Sequence, residues 1–214
     1  MRGGLAINPS AHFITFEGIE GVGKTTAVSH VVARLRAQGH PVVATREPGG
    51  TPLGERIRDL LLDPGTTDMV PVTELLLMFA ARAQHVGEVI DPALARGDWV
   101  VCDRFTDATY AYQGGGRGLD STLIAQAEAM VHPTLQPHLT LLLDAPVTLA
   151  LGRARARGAA DRFERERVEF FERVRVQYLE RARRFPRRFA VIDATRPLAE
   201  VQSSIDAALE ARFA

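Results

Sequence analysis

The sequence predicts an α/β fold in which a five-stranded parallel sheet is flanked by helices on both faces. Two observations carry this. Five short apolar runs rich in β-branched and aromatic residues recur along the chain, and a longer stretch of helical character separates each from the next. Short, almost wholly apolar runs suit strands buried on both faces, and strand-helix-strand alternation is the connectivity that builds a parallel sheet. The strands are expected at 12–17 (HFITFE), 41–45 (PVVAT), 99–103 (WVVCD), 139–144 (LTLLLD) and 189–193 (FAVID). Helices are expected near 24–38, 53–62, 73–96, 119–131, 147–157, 163–184 and 198–212. No repeat, low-complexity tract or Pro/Gly/Ser linker divides the chain, so residues 1–214 are expected to form one domain.

Composition narrows the function. Basic and acidic side chains balance at 26 each, which argues against a protein that wraps nucleic acid by net charge. No apolar run reaches the roughly 18 residues of a membrane span, and the stretch MRGGLAINPSAH has no hydrophobic centre, so a cytoplasmic protein without membrane partners is expected. Cys102 stands alone, which rules out an intrachain disulfide, and the histidines show no metal-ligand spacing. Trp99 and Cys102 read as core, and the run Arg181, Arg183, Arg184, Arg187, Arg188 as solvated surface. Lys24 is the only lysine in a chain that otherwise uses arginine, so its position asks for a compact ammonium rather than a flat fork.

That lysine ends a phosphate loop. Gly18-Ile19-Glu20-Gly21-Val22-Gly23-Lys24-Thr25 follows an apolar run and opens a helix that continues through Thr26, the context in which a P-loop works. Its backbone N–H groups and the helix N-terminus cradle phosphate oxygens, Lys24 reaches the β and γ phosphates, and the Thr25 hydroxyl ligates Mg²⁺. A nucleoside triphosphate is therefore expected. GTPases are excluded by the lack of an Asn-Lys-x-Asp motif, since Asn8 is the only asparagine and precedes the first strand. Ligands of open parallel sheets bind beyond the carboxyl ends of the strands, where the acids Glu17, Asp103 and Asp144 end their runs. Asp144 could meet water around Mg²⁺ or cap the next helix.

Five stretches in fixed order, FEGIEGVGKTT, TREPGGTPLGERIRDLLL, LLLMFAARAQ, CDRFTDATYAYQGGGRG and ARARGAADRFE, together resemble the thymidylate kinases of bacteria, over roughly residues 12–205. The resemblance implies a P-loop kinase fold, phosphorylation of dTMP to dTDP with ATP and Mg²⁺ by in-line transfer without a phosphoenzyme, and a homodimer. It gives Asp103 to the Mg²⁺ water shell, Arg104 and Arg58 to the dTMP phosphate, and Glu20 to the sugar 3′-OH. Glu47 and Pro48 line the acceptor pocket; Arg82 hydrogen-bonds a thymine carbonyl; Thr109 and Gln113 meet the pyrimidine edge. Tyr112 borders the ribose or belongs to the core. The chain departs from the family pattern at Met78, where many members carry phenylalanine. Because residues three and four before Arg82 share its helical face, either Met78 or Phe79 could cover the base. Ala108 and Phe105 are further departures.

The P-loop contains no arginine, and charge developing on the transferring phosphoryl must be met from elsewhere. Family members of this kind carry basic lid residues instead. The resemblance assigns the lid to about 150–163, the catalytic role to Arg157, a place against adenine or a donor phosphate to Arg153, and anchoring of the closed lid to Arg162.

Overall fold

The computed structural model describes residues 11–156 and 161–213. Its strands are β1 Phe13–Glu17, β2 Val42–Arg46, β3 Trp99–Asp103, β4 Leu139–Asp144 and β5 Phe189–Asp193. All pair in parallel, in the order β2-β3-β1-β4-β5. The side chains of β1 are buried throughout, and those of β3 and β4 up to their terminal acids, whereas the edge strands β2 and β5 keep partly exposed positions. Period-two alternation splits the strands between two cores. Phe13, Val100 and Cys102 pack with Ile90 and Leu94 on one face, while Ile14, Phe16 and Val101 pack with Val31 and Leu35 on the other.

The helices are α1 Lys24–Ala37, α2 Pro52–Leu62, α3 Pro71–His85, α4 Asp91–Arg96, α5 Thr106–Thr109, α6 Ser121–Val131, α7 Val147–Arg155, α8 Val168–Arg184 and α9 Leu198–Phe213. Three stretches depart from the sequence expectation. The helix expected over 73–96 is interrupted by a π-helical segment, Val86–Ile90. Pro92 has no N–H and cannot continue the regular ladder, and the wider turn before it accommodates that loss. Residues 106–116, expected without an element, are helical: α5 runs into a second π-helical segment, Tyr110–Gly116. Three successive glycines disguised this segment, and they are there for packing. A Cβ on Gly115 would stand 2.8 Å from the Gln177 Cβ, and one on Gly116 would stand 2.5 Å from the Phe170 ring, both on α8. The helix expected from 163 begins at Val168.

The sheet order sets the site. From β1 the chain crosses over β3 to the edge at β2, and from β3 it crosses over β1 to β4. Adjacent strands β1 and β3 thus send their connections in opposite directions, which opens a crevice at their carboxyl ends. The ladder extends into that crevice: the Arg104 N–H donates to the Phe16 carbonyl at 2.9 Å and the Glu47 N–H to the Asp103 carbonyl at 2.9 Å.

Candidate active site

The P-loop turns directly off β1. Gly18 and Gly21 adopt φ of 130° and 80°, and a Cβ there would lie 2.3 Å from the Leu143 carbonyl oxygen and 1.9 Å from that of Ala150. Only glycine lets the loop lie this close to β4 and α7. The first turn of α1 carries no acid, so its N–H groups keep their attraction for an anion. Lys24 is half-buried, with Nζ donating to the carbonyls of Gly18 at 3.0 Å and Ile19 at 2.8 Å. Burial and the neighbouring Arg104 push its ammonium down to about 8. Thr25 and Thr26 are exposed at the start of α1.

One pocket joins this loop to the acceptor-side residues. Glu20, Gly21, Gly23, Lys24 and Thr25 line one part, and Glu47, Pro48, Arg58, Met78, Arg82, Thr109, Tyr112 and Gln113 line the other, with Asp103 and Arg104 also in the wall. Ile19 and Val22 are core residues of the loop. Met78, and not Phe79, reaches this pocket. Phe79 packs into a buried cluster with Leu75 and Ile124, its ring 4.8 Å from the Arg82 guanidinium carbon. Of the two readings left open for Tyr112, its ring belongs to the core, and its hydroxyl donates to Glu20 Oε2 at 2.7 Å.

Arg82 is buried and firmly aimed. Its Nε donates to Glu47 Oε2 at 2.7 Å and its Nη2 to Thr109 Oγ1 at 3.0 Å, while Nη1 has no hydrogen-bond partner among the described residues. A buried N–H without a partner is costly and needs a reason. Glu47 also meets His85 Nδ1 at 2.9 Å, and His85 Nε2 meets Thr45 Oγ1 at 2.6 Å. Burial disfavours the Glu47 charge, but Arg82 and His85 outweigh it and hold this carboxyl below its ordinary range. Glu47 precedes Pro48 through a cis peptide bond, and the Pro48 carbonyl accepts from Arg58 Nη1 at 2.9 Å. Arg46 points elsewhere, onto Glu55 at 2.8 Å.

Arg104 adopts φ 70°, a left-handed conformation that costs a non-glycine residue about 1–3 kcal/mol and persists only where its surroundings enforce it. They do so here. Its Nη1 donates to the Tyr178 hydroxyl at 3.0 Å, and its Nη2 to Glu20 at 2.9 Å and to the Tyr112 hydroxyl at 3.0 Å. Behind it, fully buried Glu17 accepts from the Phe105 N–H and the Tyr178 hydroxyl, each at 2.8 Å. Burial and Asp107 push Glu17 up to about 8.

Asp103 and Thr25 share the pocket wall, and Asp103 Oδ1 is buried without a partner among the described residues. Two hard oxygens at a phosphate loop suit Mg²⁺, which takes most of its ligands from phosphates and water. Asp144 is not available to such an ion: it is held by Arg175 at 2.7 and 2.9 Å.

The basic lid is described only at its edges. Arg157 lies outside the described residues. Arg153 does not reach the pocket; it donates Nη1 to the Ala194 carbonyl at 2.9 Å, and Arg155 is exposed. Arg162 donates Nε to the Leu61 carbonyl at 2.7 Å and Nη2 to Glu74 at 2.6 Å, which fastens the C-terminal edge of that segment to α2 and α3. Asp161, Phe163 and Glu164 add to the pocket wall, as do Leu62, Phe105 and Ala108. The sequence suggests no role for any of these, although DRFE follows Arg157 after only Gly158, Ala159 and Ala160. The structure corrects the expectation that the arginine run from Arg181 to Arg188 is solvated surface. Arg181 is buried, and both Arg181 and Arg188 bond Asp107.

The family model described as thymidylate kinase matches residues 16–205. The chain belongs to the thymidylate kinase family. It is 63% identical over 204 residues to the thymidylate kinase of Chromohalobacter salexigens, covering 94% of this chain and 96% of that one. To that of Pseudomonas entomophila it is 61% identical over 200 residues, with 94% and 95% covered. The solved thymidylate kinase of Ehrlichia chaffeensis superposes with a TM-score of 0.77 at 35% identity, covering 94% of this chain and 99% of that one. As a member of this family the chain is a kinase that phosphorylates dTMP, with ATP as the phosphate donor.

Proposed function

We propose that the γ-phosphoryl of ATP passes to dTMP in one in-line step, without a phosphoenzyme. The observation that carries this is the single pocket lined by both the P-loop and the acceptor residues, which brings two phosphates together with no intervening nucleophile. Lys24 neutralises the donor phosphates, while Arg58 and Arg104 take the acceptor phosphate. Since the attacking phosphate oxygen is already anionic, no general base is required. Thr25 and Asp103 would hold Mg²⁺, which supplies charge neutralisation at the transferring group. At the far end, Arg82 Nη1 donates to a thymine carbonyl, Gln113 and Thr109 meet the pyrimidine edge, and Met78 covers the base. Glu20 accepts the sugar 3′-OH beside Tyr112.

In this reading the chain is one domain with a lid at about 150–163, and Arg157 closes over the phosphates. It works in the cytoplasm as a homodimer. Exposed apolar side chains on neighbouring helices, Val72 and Leu76 on α3 with Leu123 and Met130 on α6, support that association. No described helix is long and apolar enough to cross a membrane.

Two variants test the assignment side by side. Arg157→Ala should lower kcat by at least ~10² and leave the KM for dTMP nearly unchanged, because its contact is made in the transition state. Arg58→Ala should instead raise the dTMP KM, since its contact exists in the ground state. If Arg157→Ala keeps its kcat, the catalytic arginine is not there.

A further inference from the structure

Glu74 has no part in the mechanism above, yet it is fully buried and two sides of the site converge on it. It lies on α3, two turns before Arg82. Its Oε1 accepts from Gln113 Nε2 at 2.8 Å, and its Oε2 accepts from Arg162 Nη2 at 2.6 Å. Arg117 reaches both oxygens, with Nε 3.2 Å from Oε1 and Nη2 3.2 Å from Oε2, and bonds Glu166 through Nη1. Two arginines and two glutamates give a cluster with no net charge, so Glu74 is buried as a compensated carboxylate.

The chemistry of a carboxylate makes this arrangement directional. A carboxylate only accepts, so the Gln113 amide must turn its nitrogen toward Glu74 and is left with its oxygen to meet a ligand. Gln113 lines the pocket, as does Phe163, the residue next to Arg162. The pocket then offers a donor, Arg82 Nη1, and an acceptor, the Gln113 oxygen. A thymine edge, with a carbonyl beside an N–H, matches that pair, whereas a cytosine edge presents the opposite order.

We propose that Glu74 is a positioning residue for acceptor selection: it sets the Gln113 amide with its oxygen toward the base. The proposal rests on the reading of Gln113 as a base contact, and the test separates the two. Glu74→Gln keeps the shape of the side chain and removes its acceptor-only character, which frees the Gln113 amide to turn. The dTMP KM should rise at least ~10-fold while kcat and the ATP KM stay within about threefold, in the range expected when one buried hydrogen bond is misdirected. In a Gln113→Ala background the same substitution should change the dTMP KM by less than about threefold, because residues acting through one another are not additive. A purely structural Glu74 would show its full effect in both backgrounds, and that result overturns the proposal. If Gln113→Ala alone leaves the dTMP KM unchanged, the base-contact reading fails and the proposal with it. If Gln113→Ala raises the KM and folded Glu74→Gln does not, the proposal alone fails. Should Glu74→Gln not fold, Glu74→Asp replaces it. That variant keeps the charge beside the arginines but is too short to hold Gln113, and the same KM rise and the same overturning results apply.

Discussion

Lys24 shows how one residue's surroundings prepare it for a ligand. Its ammonium is turned back onto two P-loop carbonyls and lies near Arg104, so burial and like charge bring its pKa down to about 8. The negative charge of a polyphosphate outweighs both pressures and raises that value. Near pH 8, ATP binding should therefore take up a proton, about half an equivalent where pH matches the free pKa. Calorimetry in two buffers of different ionisation enthalpy measures this directly, and equal apparent enthalpies would contradict it. Lys24→Ala should abolish the proton uptake and nearly all transfer; retention of a tenth of wild-type turnover in a coupled assay would refute the P-loop assignment. Arg82 is prepared differently, by geometry. Glu47 and Thr109 use two of its nitrogens and leave Nη1 without a partner among the described residues.

At the scale of elements, the segment after β3 carries four of the acceptor-side residues, Arg104, Thr109, Tyr112 and Gln113, and its placement depends on Asp107 of α5. This buried acid is clamped by Arg181 of α8 and by Arg188, which also donates to Thr140 Oγ1 of β4 at 2.8 Å. Burial disfavours the Asp107 charge, but Arg188 and Arg181 outweigh it and hold the carboxyl below its ordinary 3.8. A depressed carboxylate contributes stability that is complete above the unfolded-state pKa and is lost as pH falls through the folded one. Asp107→Asn should cost ~3–5 kcal/mol at pH 7, since it leaves two arginines short of their counter-charge. Thermal melts should show that difference shrinking as pH is lowered from 5 toward 3, and a difference that does not change with pH would contradict the clamp. Asp107 also marks what the sequence could convey. The five strands were legible because fully buried strands are apolar without interruption, and the P-loop because its spacing follows from phosphate geometry. The clamp was not legible, since an arginine facing a distant aspartate looks like one facing water. Residues 106–116 were hidden because glycines needed for close packing against α8 read as a turn. Phe79 was read as a pocket candidate because it shares a helical face with Arg82, but that face is wide enough to serve both the pocket and the core. Glu74 did leave a trace: it is an acid on the buried stripe of α3, in line with Leu75, Phe79 and Arg82.

At the scale of the whole molecule, the strand order β2-β3-β1-β4-β5 places the ends of β1 and β3 side by side, and the two phosphate-handling segments leave from those ends. The donor loop follows β1, Asp103 and Arg104 close β3, and Glu47 follows β2 one strand further out. The acceptor pocket is thus assembled from segments far apart in sequence, which is why its selectivity belongs to the fold and not to any one motif. The central claim is that this crevice takes a phosphorylated pyrimidine with an imide edge and a 5-methyl group as its acceptor. A coupled ADP-release assay with ATP and a panel of dTMP, dUMP, AMP and GMP tests it most directly. The account predicts dTMP as the best acceptor, dUMP behind it by roughly 10- to 200-fold for want of one methyl group in an apolar space, and purine monophosphates inert. A higher kcat/KM with AMP or GMP than with dTMP would contradict it.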